Sequence, residues 1–251
     1  MKKLKHGFVF LLCSILCTQT FAQDKDTSVD RERNNILKIN LSALVFKNIS
    51  VQYERKIAKR ISVAVNGHYI PFGKLPFLSQ VEKAIDDPSV PVDKLKLGGI
   101  GFTPEIRFYV GKKGALRGFY IAPFANYTNY KTDLPINYLN DTKTGIFNGN
   151  ISTITGGLLL GAQWKLGKSL YLDWWIIGPN YGSGKGDLDF NSSLSSIEQA
   201  DLRNQIEDLR ADAPFDKIID SYTVNSNGAF MKLKGPWAGL RGLGFNLGIR
   251  F

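Results

Sequence analysis

Apolar and polar residues alternate with a period of two along much of the chain, and the last ten residues do so most strictly. Leu243, Phe245, Leu247, Ile249 and Phe251 are large and apolar, whereas the residues between them are small or polar. A period of two places successive side chains on opposite faces of a β-strand. The pattern therefore predicts a final strand with one apolar and one polar face.

The same period recurs in earlier segments, although the aromatic-rich fifth strand alternates less cleanly. These segments are ILKINLSALVF, NISVQYERKI, RISVAVNGHY, GIGFTPEIRFYV, GFYIAPFANYTNY, ITGGLLLGAQWKL and SLYLDWWIIG. Together with the final segment they predict eight strands, the first of which runs through Val45.

The connections between the predicted strands alternate in length. Strands two and three, four and five, and six and seven are joined by short basic segments around IAKR, GKKGALR and GKS. The connections from three to four, five to six and seven to eight are long. Backbone groups inside a bilayer must all pair, which a closed sheet achieves, and bacterial barrels have even strand numbers, short periplasmic turns and longer outer loops. The pattern predicts an all-β fold, an eight-stranded antiparallel transmembrane β-barrel in a bacterial outer membrane.

Two alternatives remain open at this point. The segment IIDSYTVNSNGAFMKLKG is compatible with a hairpin that turns at Asn227-Gly228, which would give ten strands. We interpret it as an extension of the extracellular region, because its strands alternate poorly. A soluble periplasmic β-sandwich would also alternate, but it does not explain why short and long connections alternate.

The N-terminus has the order of features typical of a secretory signal. Basic residues precede the apolar stretch GFVFLLCSILC, and the small residues of TFA follow it. We predict a signal peptide at 1–22, a flexible leader at 23–35 and the barrel domain at 36–251. Cys13 and Cys17 both lie in the predicted signal, so no disulfide or thiolate metal site is expected after cleavage. The formal charge is +10, but an exported protein is not expected to bind nucleic acid.

The final strand and two further segments resemble a known class of protein. An alternating last strand that ends in phenylalanine resembles the C-terminal signal of outer-membrane β-barrels. That resemblance implies that Phe245, Leu247, Ile249 and Phe251 form a membrane-insertion signal, read by the barrel-insertion machinery. VQYERKIAKRISVAV and GLRGLGFNLGIRF resemble small uncharacterised barrels of Bacteroidota, known as a domain of unknown function. This implies location and fold, but no activity.

The polar strand faces are predicted to line the interior of the barrel. The charged and titratable residues on these faces are Lys38, Glu54, His68, Glu105, Arg107, Lys165, Asp173 and Arg250. The interior of an eight-strand barrel is narrow enough to be filled by side chains. We expect these residues to form a polar network that satisfies itself, with a narrow gated channel as the alternative.

Few residues are candidates for catalysis. His68 is the only histidine after the predicted signal, and a lipid A-modifying barrel enzyme centred on it is one alternative function. Such chemistry needs a nucleophile or base beside the histidine, but Gly67 and Tyr69 flank it. We therefore predict no enzymatic activity, no catalytic residues, no cofactor and no metal site.

The connection from strand seven to strand eight contains a predicted helix, SSIEQADLRNQIEDLR. Ser195 and Glu198 fit a capping box, and Leu202, Ile206 and Leu209 form an apolar stripe that we interpret as a surface for a protein partner. The predicted function is a scaffold or interaction protein that presents extracellular loops, with a subunit of a larger envelope assembly as one form of it.

Outer-membrane lipid is the other expected partner. Trp164, Trp174 and Trp237 are candidates for the aromatic belts at the two membrane surfaces.

Overall fold

A computed structural model describes residues 33–76, 91–140, 142–211 and 215–251. The predicted signal peptide and all but the last three residues of the predicted leader lie outside the described residues. In the described part of the chain, no helix combines the length and the apolar character needed to cross a membrane.

In the described ranges, nine antiparallel strands form one sheet. They are β1 (Asn35–Asn40), β2 (Ile49–Ala58), β3 (Ile61–Lys74), β4 (Lys96–Tyr109), β5 (Gly118–Tyr138), β6 (Lys143–Lys165), β7 (Leu170–Asn191), β8 (Ile219–Asn225) and β9 (Gly228–Arg250). Within the same described ranges, two α-helices accompany them, α1 (Leu41–Val45) and α2 (Ser196–Ala211), with short 3-10 turns at Val92–Lys94 and Phe215–Lys217.

Eight of these strands close into a ring, in the order β1-β2-β3-β4-β5-β6-β7-β9, because β9 also pairs with β1. Strand β8 pairs with β9 and lies outside the ring. The hairpin that turns at Asn227-Gly228 is thus present, formed by β8 and the start of β9. Because β8 lies outside the ring, the hairpin adds no strand to it, and the ring has eight strands. Gly228 begins β9 at φ +135°, a conformation that a residue without a Cβ adopts easily.

The first predicted strand is wrong in its second half. β1 ends at Asn40, whose side chain accepts a hydrogen bond of 2.9 Å from the backbone N–H of Ala43 and caps α1. Asparagine favours such caps over the interior of a strand. The apolar residues of this segment, including Leu44, Val45 and Phe46, are exposed.

The prediction of a long loop between strands five and six is also wrong. Most of that stretch belongs to the strands themselves, since β5 ends at Tyr138 and β6 begins at Lys143. The sequence did not indicate a strand here because Pro135 lowers the tendency of this stretch to form one. Beyond Asp133, β5 has no partner in β4, so Pro135 lies in an edge strand. Proline is tolerated there because its missing N–H is not needed for pairing on both sides.

The far ends of β5, β6, β7 and β9 extend past the ring and, together with β8 and α2, form a separate packed unit that we call the lobe. Its core is apolar, and α2 covers the sheet through Leu202, Ile206 and Leu209, which are buried. Their partners on the sheet include Phe147 and Met231, both fully buried. The predicted helix is confirmed, but its apolar stripe faces the chain's own core.

The faces of the long strands exchange their polarity between ring and lobe. On β9, the inward residue at ring level is polar Asn246, whereas at lobe level the residues on that side are Met231 and Leu233. On β7, Asp173 and Leu188 show the same exchange. The ring therefore has buried polar residues inside, beside an apolar cluster that includes Phe124 and Leu159, and apolar residues outside, whereas the lobe is apolar inside and polar outside.

The capping box of α2 is confirmed. The backbone N–H of Ser195 donates to Glu198 Oε2 at 2.7 Å, and the N–H of Glu198 donates to Ser195 Oγ at 3.4 Å. Glu198 Oε1 also accepts a hydrogen bond of 2.5 Å from Lys143 on β6. This bond from Lys143, aided by those from Ser195, lowers the pKa of Glu198 from its ordinary 4.5 to about 2.

Glu198 is therefore expected to make the stability of the lobe pH-dependent. Because its folded pKa lies below its unfolded pKa, its contribution is complete above about pH 4.5 and is lost as the pH falls toward 2. The Glu198→Gln variant should lose this part of the acid dependence when thermal unfolding of α2 is followed from pH 7 to pH 2. Asp208→Asn, on the exposed face of the same helix, is the control and should keep the parent profile; a parent-like profile in Glu198→Gln would refute the assignment.

Candidate functional site

The interior of the ring holds a network of buried ion pairs, which we call the inner network. It combines three cations with three carboxylates. These are Lys38 on β1, Glu54 on β2, Glu105 and Arg107 on β4, Asp173 on β7 and Arg241 on β9. The formal charges cancel, as burial requires, because an unpaired ion inside a protein is costly.

Lys38 and Arg107 connect the carboxylates across the ring. Lys38 Nζ lies 2.5 Å from Glu54 Oε2 and 2.5 Å from Asp173 Oδ2. Arg107 donates from Nε to Glu105 Oε1 at 2.5 Å and from Nη1 to Asp173 Oδ2 at 2.7 Å. Its Nη1 also lies 3.2 Å from Glu54 Oε2. Each cation therefore serves more than one carboxylate, so loss of one cation affects the whole network.

Arg241 joins the network from the strand that closes the ring. Its Nη1 donates to Glu105 Oε2, and its guanidinium carbon lies 4.0 Å from the centre of the Trp175 ring. A guanidinium over the face of tryptophan is attracted by the π-electrons of the ring. Glu105 is thereby held between Arg107 and Arg241.

Neutral side chains add further hydrogen bonds to the network. Gln163 Oε1 accepts from Lys38 Nζ at 2.8 Å, and Tyr120 OH donates to Asp173 Oδ1 at 2.7 Å. Gly161 leaves room for the Tyr120 ring, since a Cβ at that position would overlap it. The other neutral members are Gln52, Ser62 and Tyr109. Side chains from all eight strands of the ring thus meet in the network.

Five of the eight predicted interior residues meet in this network: Lys38, Glu54, Glu105, Arg107 and Asp173. His68, Lys165 and Arg250 lie apart from them. Lys165 shares the inward parity of Gln163 but is exposed at the end of β6. Arg250 donates from Nη1 to Tyr171 OH at 3.0 Å near the same end. The prediction that Lys165 lines the interior is therefore wrong, because the strand ends before the network can enclose it.

His68 is half-buried, and its Nε2 lies 3.3 Å from Thr128 Oγ1. Thr128 is fully buried, and its hydroxyl also accepts a bond of 3.1 Å from Asn126. Because the Thr128 hydroxyl is buried and already hydrogen-bonded, a substrate cannot easily reach it, and it is poorly placed to act as a nucleophile. The contact between His68 and Thr128 is typical of two polar side chains that satisfy each other in a protein interior.

Arg241 was missed because the alternation of the last strand changes between Arg241 and Leu243. Extended upward from Asn246, strict alternation places Arg241 on the outer face with Leu243. Leu243 has a φ of +53°, a conformation uncommon for a leucine, and the strand turns there. Leu243 is exposed, whereas Arg241 reaches the buried Glu105.

The outer face of the ring carries the opposite chemistry, a set of exposed apolar side chains that we call the apolar belt. Every ring strand contributes, with representatives that are 40–61% exposed: Leu37, Val51, Val65, Phe102, Ile121, Leu158, Ile177 and Ile249. The predicted insertion-signal residues Phe245, Ile249 and Phe251 also lie exposed on this face, with Leu247 half-buried. Trp237, in contrast, shares the inward parity of Arg241 and stacks on Tyr130 at 5.9 Å, so its predicted place in an outer aromatic belt is wrong.

The belt ends abruptly toward the lobe. On β5 and β6 the first polar pair above it is Asn129 and Ser152, joined by a hydrogen bond of 2.8 Å. On β7 and β9 it is Lys185 and Lys234, which lie directly opposite each other. Above this line the outer face is polar, with Asn148, Asn150, Lys131 and Asp187 among the exposed residues.

Comparison with known families places the chain in one of them. A family model described as "Protein of unknown function (DUF3575)" matches residues 8–182, more than half of the chain. The chain belongs to the DUF3575 family. In this DUF3575 protein the match covers β1 to β6 and β7 as far as Gly182, so five charged members of the inner network lie within it and Arg241 lies beyond it. No curated protein and no solved structure matches the chain.

Proposed function

We propose that this DUF3575 protein is an integral outer-membrane protein whose ring spans the bilayer as a closed β-barrel. The barrel carries the lobe on the outer side of the cell as a non-enzymatic scaffold. The observation that supports this most strongly is the polarity of the ring, with the apolar belt outside and the inner network inside. A water-soluble β-sandwich has the opposite arrangement, because water drives apolar faces inward.

The height of the apolar belt agrees with a bilayer. On β5 the outward residues are apolar from Phe119 to Tyr127, which corresponds to about 27 Å of strand. At a tilt of about 40°, this length covers roughly 21 Å, close to the apolar band of outer-membrane barrels. A contiguous apolar surface of this extent is rare on a soluble monomer.

The inner network supports a closed barrel over a conducting one. Its members are buried, apart from the half-buried Arg241, and they bridge β4 to β2, β7 and β9 and β1 to β2 and β7 across the interior. Side chains therefore fill the space that a wide aqueous channel would need, as expected for a ring of eight strands. This argues for a scaffold and against the channel considered from the sequence.

The partner surface proposed from the sequence must be revised. Leu202, Ile206 and Leu209 lie in the lobe core, where no partner can contact them without unfolding α2. A protein partner, for example another subunit of an envelope assembly, would contact the polar outer surface of the lobe.

Reconstitution tests the proposal with two readouts. The refolded protein should float with liposomes and resist an alkaline wash, and the same preparation should give no conductance steps in a planar bilayer. The first result follows from the apolar belt and the second from the inner network. Protein that stays in the soluble fraction would contradict membrane insertion, and regular ion-conducting steps would contradict the closed interior.

A further inference from the structure

As far as the described residues go, the wall of the ring is incomplete on one side. β9 pairs with β7 along almost its whole length, but its other edge pairs with β1 only over Asn246–Arg250 and with β8 only over Gly228–Leu233. Among the described residues, no strand pairs with the edge at 236–243. Across the gap, β3 also continues past the first residue of β2, because Tyr69 is the last β3 residue that β2 reaches. We call this gap the side opening.

The side opening is about three strand spacings wide, or roughly 14 Å, because β1 and β2 separate β9 from β3 lower in the ring. Its lower border is α1, where Ser42 Oγ accepts a hydrogen bond of 3.0 Å from the backbone N–H of Phe245. Its upper border is the lobe, where Ile218 accepts from the backbone N–H of Lys234 at 2.8 Å.

The strand edge in the opening is unsuited to another strand. Pro236 has no N–H to donate, and the positive φ of Leu243 bends the strand. Prolines and local distortions are devices that protect edges from strand addition. Unpaired backbone at membrane depth is tolerated where it lines a polar, water-filled space and not where it touches lipid chains. The opening therefore calls for a polar occupant.

The surroundings define the chemistry of that occupant. At the upper border of the opening, Lys234 is exposed on the outer face and lies opposite the exposed Lys185 of the neighbouring strand β7, and none of the ion pairs among the described residues includes either lysine. Like charges at such positions repel unless an anion lies between them. Below them, Leu240 and Leu243 are 65% and 73% exposed at the rim of the opening.

We propose that the side opening binds the headgroup of an anionic phospholipid. Its phosphate lies between Lys185 and Lys234, its polar headgroup meets the free edge of β9, and its acyl chains lie over Leu240 and Leu243. Lysines attract phosphate as point charges, and basic residues at the hydrocarbon boundary attract anionic headgroups. This inference rests on the proposed membrane insertion of the ring.

Trp237 provides a local probe. It lies on the edge that borders the opening, on the inner side of the wall. Single-tryptophan variants that keep only Trp237, Trp164 or Trp175 can be reconstituted with brominated phosphatidylglycerol or brominated phosphatidylcholine. Bromine on an acyl chain quenches tryptophan at short range, so a lipid whose chains lie over Leu240 at the rim of the opening brings bromine close to Trp237 on the same strand edge. Trp164, which is exposed on the outer face, reports insertion, and Trp175, buried behind a complete wall, reports nonspecific access.

The expected result is that Trp164 is quenched by both lipids, Trp175 by neither, and Trp237 more strongly by the anionic lipid. In Lys185→Gln/Lys234→Gln, the anionic preference at Trp237 should fall by roughly fivefold for each lysine, with Trp164 unchanged. Lys112→Gln/Lys113→Gln, in the exposed β4–β5 turn, is the matched control.

The outcomes separate the two proposals. If Trp164 is quenched but Trp237 is not, or if Trp237 shows no lipid preference, the headgroup site is refuted and the membrane placement stands. If Trp164 is not quenched, the membrane placement itself fails. Should a single-tryptophan variant not fold, Trp237→Phe in the otherwise intact chain gives the same information, because its quenchable emission should be smaller than that of the parent.

Discussion

Replacing Arg107 by methionine is expected to lower the free energy of unfolding by about 3–5 kcal/mol, the usual cost of removing one partner from a buried ion pair. Arg107 contacts Glu54, Glu105 and Asp173. Without it, two buried cations remain for three buried carboxylates. Methionine preserves much of the volume, so the loss reports the uncompensated charge and not a cavity.

Denaturant unfolding in lipid vesicles, followed by tryptophan emission, measures this effect. Lys165→Met is the matched control, because Lys165 has the same inward parity on its strand but is exposed. Its stability should stay within about 0.5 kcal/mol of the parent. If Arg107→Met unfolds at the same denaturant concentration as Lys165→Met, the inner network does not stabilise the ring.

Replacing Ile206 by alanine is the second change with a large expected effect. Ile206 is fully buried between α2 and the sheet of the lobe. Removing a buried isoleucine side chain costs about 2–5 kcal/mol, depending on how far the cavity collapses. We expect the loss to appear in the lobe, since the side chain has its contacts there.

Hydrogen exchange locates this effect. Amide protection in α2 should fall in Ile206→Ala, while protection in β2 and β3 should remain as in the parent. Ile197→Ala is the matched control, because Ile197 lies on the same helix but is 74% exposed. Equal exchange in the two variants would contradict the assignment of α2 to a packed core and would return its apolar stripe to consideration as a partner surface.

The sequence predicts the ring well where one simple rule governs it. Strict alternation identified the faces of the ring strands, and Lys38, Glu54 and Arg107 could be assigned to the interior from parity alone. The rule failed at Arg241, because one residue with a positive φ, Leu243, changes which side chains point inward. A local backbone conformation of that kind leaves no mark in the pattern of apolar and polar residues.

The lobe could be predicted only in part, for a different reason. The capping box of Ser195 and Glu198 is a local signal, and it correctly placed the start of α2. Whether the apolar stripe of α2 faces a partner or the chain's own sheet depends on distant residues such as Phe147 and Met231. The exchange of polarity along β6, β7 and β9 likewise depends on α2 covering one face of the sheet, which no window of the sequence reveals.

Cysteine scanning along the outer face of β6 tests the central claim most directly. Cysteines replacing Asn148 and Asn150, above the boundary, should react in intact cells with a membrane-impermeant maleimide. Cysteines replacing Ile154 and Leu158, in the apolar belt, should be protected until the membrane is dissolved and the protein unfolded. This boundary between 150 and 154 is the result that a membrane-spanning ring predicts. Equal labelling of all four positions in intact membranes would contradict it.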